Sequence, residues 1–161
     1  MFNVELNKLE TVLTAAVSKT MENMTFEEIE IPKNHNGNPF TGNNKYWAVL
    51  PLIKPYSGEL VLEITTDYGK ILAEEVYGNT DVVISESSIK DVLAEIANTI
   101  AGRFIDGLTP QSQQFELGLP TTGRGQVPDM TNRIATILIN VGEHPLVISI
   151  KGTDLKPFVK N

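Results

Sequence analysis

Asp91, Glu95, Asn98 and Gly102 follow one another at intervals of four, three and four residues. In an α-helix that spacing stacks their side chains along one line. Two carboxylates on such a line can meet a basic group of a partner. A carboxamide both donates and accepts hydrogen bonds, so it can hold a water molecule while touching a second polar group. No nucleophile paired with a base accompanies them, so covalent catalysis has no support. A polar stripe opposite an apolar one is also what any surface helix displays. Two residues argue for more than that. Glycine inside a helix costs roughly 1 kcal/mol relative to alanine, so Gly102, with small Ala94 and Ala101 nearby, marks a place of close approach. Asparagine is likewise a poor choice in mid-helix.

The element that must position these residues is a helix over Glu86 to Phe104, with Ser85 or Ser87 as its cap and Gly107 near its end. At about 100° per residue, Leu93, Ile96, Ala97, Ile100 and Phe104 fall on the opposite face and supply a core stripe.

The run Ala-Glu-Ile-Ala-Asn-Thr-Ile-Ala-Gly at 94–102, together with Leu117-Gly118-Leu119-Pro120-Thr121, resembles the CheC/CheX chemotaxis phosphatases, and the length fits the CheX branch. That family carries an acidic or Ser residue, then three residues, Glu, two residues, Asn, and a proline a little over twenty residues on. Here these are Asp91, Glu95, Asn98 and, one residue early, Pro120. The resemblance implies a phosphatase for the aspartyl phosphate of a CheY-like response regulator. It implies that Asn98 positions the attacking water and that Glu95 pairs with the lysine beside the phosphoaspartate. Asp91, Ala94 and Gly102 would meet the partner, although Asp91 could equally favour the early helix through its dipole. The chain itself would hold no metal or cofactor, and Mg²⁺ is expected on the regulator. A rival from another class is a non-catalytic CheX-like module that binds a response regulator or serves a flagellar switch. Intact Glu95 and Asn98 favour the enzyme.

Composition narrows the setting. A chain of 161 residues, 41% hydrophobic and 20% charged, is expected to form one domain over 1–161 with a sizeable core. No apolar run approaches the roughly 20 residues that span a bilayer, so no membrane contact and a cytoplasmic location are expected. The absence of cysteine excludes disulfides and thiolate chemistry. A net charge of -7 argues against nucleic-acid binding and for a protein partner.

Along the chain, Asn3 to Met24 carries Leu6, Leu9, Val12, Leu13, Ala16, Val17 and Met21 at helical spacing. Phe26 to Ile31 reads as a strand ended by Pro32. Asn34 to Pro39 and Gly42 to Asn44 read as a turn-rich loop with a solvated His35. Tyr46 to Ile53 and Gly58 to Thr66 read as two strands. Pro51 suggests an edge or bulge, and the pair Tyr46-Trp47 reads as core. Asp67 is the expected cap of a short helix over Tyr68 to Tyr77. Gln113 to Leu119, Arg133 to Val141 and His144 to Lys151 read as strands. Gly142-Glu143 makes a tight turn, and Pro120 to Asp129 a hairpin loop that lacks a P-loop's ending. The expected fold is α/β and CheC-like: repeated helix-plus-three-strands units, with long helices packed on an antiparallel-rich sheet that lies on one side of them. Superposing the halves brings Glu10 onto Glu95 and Leu13 onto Asn98, which leaves one working face, the arrangement the CheX branch has. CheX relatives also imply a homodimer, with edges such as His144 to Lys151 available to join sheets.

Overall fold

Asn7 opens the first helix by accepting a hydrogen bond from Glu10 N at 2.8 Å while Glu10 Oε1 accepts one from Asn7 N at 3.1 Å. This reciprocal capping, worth about 1 kcal/mol at such a position, starts α1 (Lys8–Thr25). The computed structural model describes residues 5–35, 39–40, 42–111 and 113–159, so the expected start of this helix at Asn3 and the turn residues Asn36, Gly37 and Asn38 lie outside the described residues. After α1 come β1 (Ile29–Glu30), β2 (Lys45–Lys54), β3 (Gly58–Thr65), α2 (Thr66–Tyr77), α3 (Glu86–Leu108), β4 (Glu116–Leu117), β5 (Thr121–Arg124), β6 (Arg133–Val141), β7 (His144–Lys151) and a 3₁₀ turn at Thr153–Phe158.

The sheet runs β1-β6-β7-β3-β2-β4, with β5 beside β4 on the outer edge of β2, and the pairings are antiparallel. The two expected units are visible in this order. The opening strand of each unit pairs with the middle strand of the other, β1 with β6 and β4/β5 with β2. The two hairpins β2–β3 and β6–β7 meet at the centre through β3 and β7.

Residues alternating along the strands (Leu60, Leu62 and Ile64; Leu146, Ile148 and Ile150) join Leu13, Val17, Ile96, Ile100 and Phe104 of the helices in one core, as period-two and period-3.6 burial require. All five apolar residues expected to face inward on α3 are buried. On the other face of the sheet Glu63 is fully buried, 2.7 Å from Lys45 Nζ and 3.5 Å from Arg133 Nη2. Burial pushes the Arg133 guanidinium below its ordinary value, and the Glu63 carboxylate opposes that shift. Lys151 ties the segment before β6 across this face through Asp129 O at 3.2 Å.

Several expectations change. Phe26 does not begin a strand. It caps α1 in the left-handed region at φ 60°, which leaves only Ile29–Glu30 for β1. Thr65, not Asp67, caps α2, because β3 runs straight into the helix and Thr65 accepts from Tyr68 N at 3.1 Å. His35 is buried, and its carbonyl accepts from Leu138 N. Within the expected loop after Pro120, Thr121–Arg124 is a strand on Tyr46–Val49. Gly123 there is required by Trp47, whose ring would lie 2.2 Å from an added Cβ. Pro51 falls where the outer partner of β2 changes from β5 to β4. His144 to Lys151 is not an edge: β7 is hydrogen-bonded on one side to β6 and on the other to β3, so it cannot extend the sheet to another chain.

Candidate functional site

Helix α3 begins at a serine pair: Ser85 Oγ accepts from Ser88 N at 3.3 Å and Ser88 Oγ accepts from Ser85 N at 2.7 Å. From there it runs to Leu108, with Ile89, Leu93, Ile96, Ala97, Ile100, Ala101 and Phe104 set into the core. That buried side fixes the rotation of the helix. The opposite side therefore points outward without adjustment: Asp91, Glu95 and Asn98 are exposed, and Ala94 and Gly102 are half-buried.

The two flanks of the line differ. On one, α3 meets β4 and β5, and an added Cβ at Gly102 would meet only the Phe115 ring, at 3.9 Å. Phe115 and Leu119 are exposed on this side, Leu119 to 86%, and Pro120 stands between the two strands. On the other flank α1 runs antiparallel to α3, as the contacts Thr20 to Arg103 and Val12 to Gly107 require. With the end of α2, the two helices enclose an open groove of about 530 Å³ whose lining includes Met24, Val76, Val92 and Ile96, with Asp91, Glu95 and Arg103 at its margins. Arg103 is held there by donating to Thr20 Oγ1 at 2.9 Å.

Among the described residues the side chains of Asp91, Glu95 and Asn98 have no hydrogen-bond or ion-pair partner. The neighbouring Thr99 hydroxyl donates to Glu95 O at 3.0 Å and so stays on the helix. Two unneutralised carboxylates and a free carboxamide on a rigid rod can accept a partner's cation and orient a water molecule. Among the described residues no group of three or more His, Asp or Glu side chains converges as a metal site would require, and no helix is long and apolar enough to cross a membrane.

On α1 the two positions equivalent by superposition are otherwise occupied. Glu10 is held in the helix cap, and Leu13 is fully buried. Sequence reasoning brought Asp91, Ala94, Glu95, Asn98 and Gly102 together, and the helix does place them on one line. It missed the groove, whose walls come from three separate helices and carry no shared local signal.

The geometry has counterparts among known proteins. The sequence profile for the chemotaxis phosphatase CheX matches residues 46–151. No curated protein sequence matches the chain. Solved structures with the same fold include a Desulfovibrio vulgaris Hildenborough protein assigned to chemotaxis, with TM-score 0.69 at 16% identity, covering 91% of this chain and 98% of that one. The CheX of Vibrio vulnificus has TM-score 0.67 at 13% identity over 89% and 95%. A chain of the CheX–CheY–BeF₃–Mg²⁺ complex from Borrelia burgdorferi has TM-score 0.63 at 14% identity over 91% and 99%. Identities this low speak for the fold alone, but the profile covers well over half of the sequence, α3 included. The chain belongs to the CheX chemotaxis phosphatase family.

Proposed function

We propose that this protein hydrolyses the aspartyl phosphate of a CheY-like response regulator. Asn98 holds the attacking water in line with phosphorus. Glu95 pairs with the regulator's lysine, and Asp91, Ala94 and Gly102 line the contact. As the water oxygen bonds to phosphorus, the bond to the aspartyl oxygen breaks, which releases inorganic phosphate and a free carboxylate. Phosphoryl transfer of this kind needs positioning and charge stabilisation rather than a nucleophile from the phosphatase. The Mg²⁺ that offsets the developing charge belongs to the regulator.

One observation carries the reading: in a chain of the CheX family, a carboxamide and a carboxylate stand one turn apart, exposed and unpartnered, on a helix held by its opposite face. The Borrelia burgdorferi CheX was solved with CheY, which supports a regulator of that type as partner. A purely binding or flagellar-switch role has no use for the carboxamide. A cytoplasmic homodimer fits the same family. Its sheet-joining edge would be the part of β6 from Arg133 to Ile137, outside the cover given by β1 and by the His35 carbonyl on Leu138 N. Light scattering that finds only monomer at micromolar concentration would remove the dimer.

The test of the enzyme is phosphate release from a phosphorylated regulator. Asn98→Ala should abolish most turnover while the exposed helix position gains propensity and the fold persists. Turnover near wild type would end the water-positioning role.

A further inference from the structure

The groove beside the catalytic line is unassigned, and its position relative to Glu95 gives it a meaning. It rests on the phosphatase reading, since its occupant is the docked regulator. Asp91 and Glu95 belong both to the exposed line of α3 and to the margin of the groove, whereas Asn98 belongs to the line alone. A partner group that reaches Glu95 therefore stands at the groove as well as on the line. The lining is mixed: Met24 from α1, Val76 from α2, and Val92 and Ile96 from α3 supply its apolar part, beside Thr20, Asn23 and Thr99. Val76 is 46% exposed, and the volume of about 530 Å³ lies within the ~300–1,000 Å³ of ordinary binding clefts. Acids stand at one end and Arg103 at the other, so the groove has a polarity as well as a shape.

We infer that this groove is the determinant of which regulator is accepted, and that it takes an apolar side chain flanking the regulator's lysine. An acidic residue at that place in the regulator would be refused, because it would be set beside Asp91 and Glu95. The groove then contributes to affinity, whereas Asn98 sets rate.

The experiment measures both affinity for the Mg²⁺- and beryllofluoride-loaded regulator and steady-state dephosphorylation, for wild type, Val76→Arg, Val76→Leu and Asn98→Ala. Val76→Arg places a cation in the apolar wall from a partly exposed position, so folding should persist, checked by unchanged thermal unfolding. It should weaken binding and raise half-saturation by about tenfold, the effect of losing a central apolar anchor, with the maximal rate kept. Val76→Leu should bind as wild type does. Wild-type affinity in Val76→Arg would overturn the groove's role and leave the enzyme reading intact. Binding by wild type without hydrolysis would overturn the enzyme reading, while the groove is still judged by affinity. A change of oligomeric state in Val76→Arg, with regulator affinity unchanged, would assign the groove to a second copy of the chain and sink the inference.

Discussion

Alanine at position 102 separates what the helix requires from what its partner requires. In the free protein nothing among the described residues demands glycine there, because a Cβ would meet only the Phe115 ring at 3.9 Å, an ordinary contact. The helix itself prefers alanine by about 0.8–1 kcal/mol. Gly102→Ala should therefore stabilise the protein by nearly that amount, and for a domain of this size the melting temperature should rise by about 2–3 °C. Calorimetry or circular dichroism reads the change. Gly107 provides the control, since its Cβ would stand 2.7 Å from Val12 Cγ1. Gly107→Ala carries the same propensity gain but forces Val12 to move, so it should gain less. Against the regulator the sign at position 102 reverses. Gly102→Leu should raise half-saturation for the phosphorylated regulator about tenfold or more through steric exclusion at the contact. A fall in melting temperature on Gly102→Ala would refute the claim that the chain itself does not need glycine. Normal half-saturation in Gly102→Leu would refute the claim that the partner does.

Glu95→Ala should weaken regulator binding by tens-fold, since breaking a desolvated charge pair costs about 2–5 kcal/mol, and should flatten its salt dependence; Glu95→Lys should be worse. The reverse assignment, with normal binding in Glu95→Ala and lost affinity in Asn98→Ala, would defeat the division of roles. Tyr68 has a buried hydroxyl without a partner among the described residues, and burial raises its phenol further. Tyr68→Phe should accordingly be neutral or stabilising by up to about 1 kcal/mol in urea unfolding, and a clear loss would reveal a partner. The Asp129 carboxyl is held down at about 2 by the Thr131 hydroxyl and backbone N–H and by Lys151. Its folded value lies below the unfolded one, about 3.9, so its stabilisation is present above pH ~4 and is lost as pH falls toward 2. Asp129→Asn should flatten melting temperature against pH in that window, and an unchanged slope would count against it.

What could be read locally was read correctly where one periodicity governs a long segment. The apolar spacing of α3, its serine cap, and the alternation in β2, β3, β6 and β7 all specify their elements without help from distant residues. The failures share a cause. Thr121-Thr122-Gly123-Arg124 has neither length nor alternation, and only the edge of β2 makes it a strand. Thr65 and Asp67 are both good caps, and the choice fell to the point where β3 ends. Phe26 in the left-handed region contradicts its residue type, so no local rule places it. His35 is polar and sits in a turn, yet the β6 edge draws it in. One helix carries Asp91, Glu95 and Asn98, so their spacing sufficed to set them on one exposed line. The groove depends on how three helices meet.

The helix that bears the candidate line is also the one most deeply built into the core, with eleven of its residues buried. Functional surfaces are commonly found on the segments of a protein that open most readily. Here the amides of α3 should exchange with solvent only when the whole fold opens, and the side chains of Glu95 and Asn98 already stand exposed. Under the phosphatase reading such an enzyme would be armed as it stands, and its output would follow how much phosphorylated partner arrives and whatever else covers the same face of the helix.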